Sequence, residues 1–139
     1  MCYNNNWSIE IKTCIDGVSD TVSTRGKLIS APSGYSFDYN LDGDECTLCL
    51  TGDKVVQTRR GEQNIKITFQ EGETTECILE SGGFCGTITV FTEHLQHTVC
   101  SIDKRFGSVQ IFTLTIVYTL GEQRVKIDFS AKYTSRVKK

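Results

Sequence analysis

Apolar and polar residues alternate along nearly the whole chain. Trp7, Ile9 and Ile11 alternate with Ser8, Glu10 and Lys12. Tyr35, Phe37, Tyr39 and Leu41 alternate with Ser36, Asp38 and Asn40. The same beat returns in Ile65-Ile67-Phe69, Ile88-Val90, Leu95-His97-Val99, Phe112-Leu114-Ile116-Tyr118-Leu120 and Val125-Ile127-Phe129-Ala131-Tyr133. Successive side chains on a strand point to opposite faces, so this pattern predicts half-buried β-strands. The runs are rich in β-branched and aromatic residues, which suit a pleated surface. The nearest thing to a helical pattern, Thr92 to Cys100, carries β-branched Thr98 and Val99 near its end and is not read as a helix.

Turn residues divide the runs at short intervals: Asp16-Gly17, Ser33-Gly34, Asp42-Gly43, Thr51-Gly52-Asp53, Arg60-Gly61, Glu71-Gly72, Ser81-Gly82-Gly83, Phe106-Gly107 and Gly121-Glu122. This punctuation predicts an all-β meander of about eight to ten antiparallel strands. Such a sheet closes into a barrel or splits into a sandwich. Sequential hairpins without a long crossover favour the up-and-down barrel. So do the long final runs, roughly Ser108–Leu120 and Glu122–Ser135. One internal echo, GEQNIKITF at 61–69 and GEQRVKIDF at 121–129, repeats a turn that enters an alternating strand. Its flanks do not repeat, so shared hairpin chemistry is the preferred reading over duplication.

Composition narrows the setting. At 139 residues the chain is expected to form one domain, with a core at about 7–135 and a short basic tail. Lys132, Arg136, Lys138 and Lys139 make the tail basic, whereas residues 38–53 hold Asp38, Asp42, Asp44, Glu45 and Asp53. The balance of 15 basic and 17 acidic residues gives a net charge of −2, which argues against a nucleic-acid binder. No basic start precedes an apolar run, and no stretch approaches the roughly 18 apolar residues of a membrane helix. The expectation is a soluble, cytoplasmic protein without nucleic-acid or membrane partners. Seven cysteines cannot all pair within one chain, and in a reducing compartment they read as free thiols. Cys46 and Cys49 form a C-x-x-C, but on a strand they point to opposite faces. Cys77 and Cys85 flank Ser81-Gly82-Gly83, where facing positions across a hairpin would allow a reversible disulfide that nothing else in the sequence supports.

Few residues point to chemistry. Asp38-x-Asn40-x-Asp42-Gly43 matches the first half of a calcium loop, but Cys49 stands where a bidentate glutamate belongs. The preferred reading is an acidic hairpin turn, with no metal. His94 and His97 diverge if they lie on a strand. There is no nucleophile elbow, P-loop, dinucleotide fingerprint or H-E-x-x-H, so no catalytic residue is assigned and no cofactor is expected. Arg59 and Arg60 are adjacent at a strand end; the preferred reading is two solvated side chains beside a turn, and the alternative is that one of them faces inward. An arginine inside a barrel needs an anion, a carboxylate or an aromatic partner, which makes Arg59 the best polar anchor for a ligand.

Four segments carry a family resemblance: Thr58-Arg59-Arg60-Gly61, Phe69-Gln70-Glu71-Gly72, Gly83-Phe84-Cys85-Gly86-Thr87-Ile88 with Phe91-Thr92-Glu93, and Gly107-Ser108-Val109-Gln110-Ile111 leading into a long final hairpin. In order and spacing the chain resembles the YwiB-like, calycin-type β-barrel family, a bacterial domain of unknown function. The resemblance runs over roughly residues 7–135. It implies a lipocalin-like antiparallel barrel and no known reaction, and it carries the arginine and glycine of the first segment onto Arg59 and Gly61. Calycin barrels bind small molecules, so the expected function is non-enzymatic binding of a small, partly apolar ligand in the barrel mouth. Tyr35, Phe37, Tyr39 and Phe84 would supply the wall and Arg59 the anchor. The alternative is an interaction or structural module that acts through an exposed sheet face or as a homodimer.

Overall fold

The computed structural model describes residues 2–105 and 107–136. Ten strands follow one another: β1 (Cys2–Ile15), β2 (Val18–Ala31), β3 (Gly34–Leu41), β4 (Asp44–Thr51), β5 (Lys54–Arg60), β6 (Gln63–Gln70), β7 (Thr74–Ser81), β8 (Phe84–Lys104), β9 (Gly107–Leu120) and β10 (Gln123–Arg136). Each pairs antiparallel with its chain neighbours, and β1 pairs with β10 to close the barrel. The expected all-β, up-and-down barrel is therefore the architecture. No helix in the described residues is long and apolar enough to cross a membrane. Residues 92–100 lie wholly within β8.

Local chemistry sets the turns. Asp16-Gly17 and Asp42-Gly43 both hold positive φ at both positions, the geometry of a tight hairpin turn whose twist matches the flanking strands. Gly26 has a different reason. A Cβ there would run into the Asp38 carbonyl and the Ile9 side chain, so only glycine lets β2 pass this close to β3.

The alternating apolar residues face inward and fill the barrel. Trp7, Ile9, Ile11, Phe37, Leu48, Leu50, Val55, Phe69, Val90, Leu114, Ile116, Val125, Phe129 and Ala131 are all buried in one cluster. Its centre is aromatic. Phe37 lies 5.4 Å from Trp7, 5.1 Å from Phe112 and 5.4 Å from Phe129 between ring centroids. A second pair, Phe69 and Tyr118, sits at 4.7 Å. These spacings are those of favourable tilted and edge-on ring contacts. The interior is thus occupied by the protein's own side chains, as small barrels commonly are.

Two strands extend past their neighbours. β2 pairs with β3 only from Gly26 onward, and β8 pairs with β7 only from Phe84 to Phe91. After a bulge between Thr92 and His94, β8 continues along β9 as far as Lys104. The β8–β9 hairpin, with β10 still paired to β9 as far as Arg136, therefore stands beyond β7.

The thiols sit as their strands dictate. Cys46 is buried and Cys49 lies on the opposite face of β4, so the C-x-x-C does not bring its sulfurs together. The expectation for Cys77 and Cys85 fails on register. Cys77 opposes Ile88 and is buried, while Cys85 opposes Glu80 and is exposed. The six cysteines with described side chains are free thiols. Of the basic tail, Lys138 and Lys139 lie outside the described residues, as does the side chain of Arg136.

Phe37→Ala is expected to lower unfolding stability by about 3–5 kcal/mol, because the ring is fully buried among other rings. Phe84→Ala, at a 67% exposed position, is expected to change it by less than about 0.5 kcal/mol. Urea unfolding followed by tryptophan fluorescence checks both.

Candidate functional site at the barrel mouth

Hairpin turns alternate between the two ends of an up-and-down barrel. The turns at residues 16–17, 42–43, 61–62, 82–83 and 121–122 ring one end. The turns at 32–33, 52–53 and 71–73 lie at the other. This divides the expected site residues. Arg59 precedes the turn at 61–62 and Phe84 follows the turn at 82–83, so both stand at the first end. Tyr35 follows the turn at 32–33 and stands at the opposite end, half-buried against Phe112 at 5.4 Å. Phe37 is sealed mid-barrel at 1% exposure. The five residues therefore do not line one mouth; Arg59, Tyr39 and Phe84 belong to the same end.

The register arranges that end in a continuous inward row. Tyr39 opposes Cys46, Cys46 opposes Arg59, Arg59 opposes Ile65, Ile65 opposes Leu79, and Leu79 opposes Gly86. The row thus runs from a phenol and a thiol through a guanidinium to two aliphatic side chains, and ends where a side chain is missing. A Cβ on Gly86 would press on the Phe84 ring, so the glycine gives that exposed ring its seat. Directly above Arg59 is a depression of about 450 Å³ lined by Asp42, Asp44, Arg59, Glu62, Gln63 and Ile65.

Arg59 takes the inward position and Arg60 the exposed one. The inward guanidinium found a carboxylate, the partner that burial of an arginine requires. Its Nε donates to Asp44 Oδ2 at 2.7 Å. This hydrogen bond, chiefly, raises the Arg59 pKa above its ordinary value, and the cation is permanent. Asp44 held no place among the expected site residues. The signal was in the alternation: Asp44, Cys46, Leu48 and Leu50 share a phase, so an acid falls on the inward face of β4. Gly61 completes the contact. A Cβ there would collide with the Asp44 carboxylate, and glycine lets the β5–β6 turn close over it.

Behind Arg59 the polar groups are sparse. Tyr39 is 4% exposed, and its Oη has no hydrogen bond of regular geometry among the described residues. Burial, chiefly, and the Cys46 thiol push its pKa up. Gln57 beside the hydroxyl and the Arg59 cation oppose that shift without cancelling it. Burial likewise raises Cys46, keeping it a thiol.

The other candidates disperse. Asp38 and Asn40 lie on the outer face of β3, opposite in phase to Phe37 and Tyr39, and Asp42 sits in the turn. Among the described residues no three His, Cys, Asp or Glu side chains gather to hold a metal. His94 Nδ1 lies 3.2 Å from Glu71 Oε1, while His97 opposes Leu114 on the other face of β8.

Comparison with solved structures gives a likeness to the crystal structure of the YwiB protein from Bacillus subtilis. The match has a TM-score of 0.73 and 14% sequence identity, and covers 94% of this chain and 92% of that one. The fold is YwiB-like. At that identity the likeness concerns the path of the chain and not its chemistry. No family model matches the sequence, and no curated protein matches it.

Buried tyrosines make an alkaline prediction. Burial, chiefly, pushes Tyr118 up to about 12 and Tyr39 also up. A tyrosine in the unfolded chain ionises near ~10. The stabilisation is thus complete below that pH and is lost as pH rises through the folded values. Phenolate absorbance should show some tyrosines titrating in the native state, with the remainder ionising together with loss of near-ultraviolet circular dichroism. A smooth titration of all of them without unfolding would contradict the buried placement.

Proposed function

We propose that this protein is a cytoplasmic, non-enzymatic binding barrel of calycin type that takes a small, partly apolar molecule at the mouth around Arg59. The one observation that supports this most is the inward row from Arg59 through Ile65 and Leu79 to Gly86, roofed by the exposed Phe84 ring. It places a cation beside a short apolar floor. Asp44 engages Nε alone, which leaves the terminal amino groups of Arg59 without a partner among the described residues. The ligand sits on the barrel and not inside it, because the lumen is filled by its own side chains.

The rim constrains the ligand's charge. Asp42, Asp44 and Glu62 surround one arginine at this depression, which disfavours a multiply charged anion. A neutral or zwitterionic molecule with one acceptor group for Arg59 and a ring or short aliphatic body for Phe84 and Leu79 fits better.

The test is an amide-shift titration of isotope-labelled protein with phenylalanine and a set of small aromatic and aliphatic monocarboxylates. Binding is expected to move the amides of Arg59, Gly61, Ile65 and Gly86. Arg59→Gln is expected to weaken it by about tenfold or more, the scale of losing a charged hydrogen bond. No shift at these amides up to millimolar ligand, or equal binding by the variant, overturns the reading.

A further inference from the structure

Beyond Phe91, β8 has a strand on one side only among the described residues. The first stretch of this edge is satisfied locally. Thr92 exchanges backbone hydrogen bonds with Gly72 and Glu73, and the Leu95 amide donates to the Glu71 carboxylate at 3.0 Å. Backbone groups alternate in direction along a strand, so residues 97, 99, 101 and 103 present their N–H and C=O groups to the same open side as Leu95. Natural barrels remove such edges or blunt them with charge, proline or cover. Here the edge carries Val99, 67% exposed, and Ile102, 45% exposed. An extended chain can pair with the whole row at once, by adding a strand in place of water.

We propose that the occupant is a second copy of this chain, paired β8 to β8 antiparallel about a two-fold axis through Cys100. One donor–acceptor pair on the edge, an imidazole and a carboxylate, selects that register. A two-fold axis normal to the sheet places residues of the same face opposite each other. His97 and Asp103 share one face of β8. With Cys100 on the axis, each His97 meets the other copy's Asp103, Val99 meets Ser101, and Thr98 meets Ile102. A slide of one pleat either way sets Asp103 against Leu95 or against Val99, and the imidazole–carboxylate pair is lost. Cys100 occupies a position whose backbone groups point toward β9, so the two thiols fall at a non-hydrogen-bonded pair. Opposed Cα atoms at such a pair are about 4.5 Å apart, at the short end of the disulfide range. The dimer does not need that bond; the thiols report the register. The paired edges lie on the overhanging hairpin, away from the mouth at Arg59.

Sedimentation velocity across micromolar concentrations under reducing conditions tests the assembly, with circular dichroism as the fold control. The wild type is expected to dimerise. Val99→Pro deletes an N–H that faces the open side and leaves the bonds to β9 in place, so it is expected to fold and to weaken the dimer about tenfold or more. His97→Asp is expected to weaken it, and adding Asp103→Lys to restore it. Under diamide, which takes up the two electrons and two protons released by two thiols, the wild type is expected to cross-link rapidly and Cys100→Ser not. A strict monomer overturns the proposal. So does a dimer indifferent to Val99→Pro, a double variant that fails to recover, or cross-linking that survives Cys100→Ser.

Discussion

The pairing of β1 with β10 is the contact on which the interior depends. It sets Ile9 against Ala131 and Ile11 against Phe129, and so turns a ten-strand ribbon into a tube with a single dry inside. An open meander would leave one face of every strand in water. Closure commits each alternating apolar residue to a shared core, and a one-residue slip at this seam would turn the inward set of β1 outward. The aromatic cluster of Trp7, Phe37, Phe112 and Phe129 draws on β1, β3, β9 and β10, elements that meet only because the seam holds.

Filling the tube has a functional cost and a structural gain. A lipocalin-like chamber requires small or absent side chains at its centre, and this barrel puts rings there. What stays open is the periphery, where the packing thins. At one end Gly86 interrupts the inward row and Arg59 rises beside it, held by Asp44. A half-exposed pair of this type adds on the order of 1 kcal/mol to stability, so its main effect is to orient the guanidinium. At the other end β8 overruns β7 and leaves backbone groups facing solvent.

Much of this was legible in the order of residues. Period-two alternation and glycine-centred turns contain the strand count and the meander; they allow an inward arginine at the end of β5 but favour two solvated ones. What they lack is the meeting of strands. Tyr35, Phe37 and Tyr39 look like one wall because they are neighbours in sequence, but the strand carries them from one end of the barrel to the other. Cys77 and Cys85 flank one turn, yet register sends one inside and the other out. The overhang of β8 depends on where β7 stops pairing, which no local pattern records. The echo between residues 61–69 and 121–129 resolves in the same way. The two segments enter β6 and β10, four strands apart, whereas halving a ten-strand barrel would relate strands five apart. Both segments turn at the same end and send Ile65, Ile67 and Phe69, or Val125 and Phe129, into the core.

The direction in which the strands run also determines how the molecule can be held. β1 enters and β10 leaves at the end opposite the Arg59 mouth. A tether on either terminus would therefore present that mouth outward and crowd the overhanging hairpin. Immobilised and free protein would then differ in the accessibility of one surface and share that of the other, without a residue being altered.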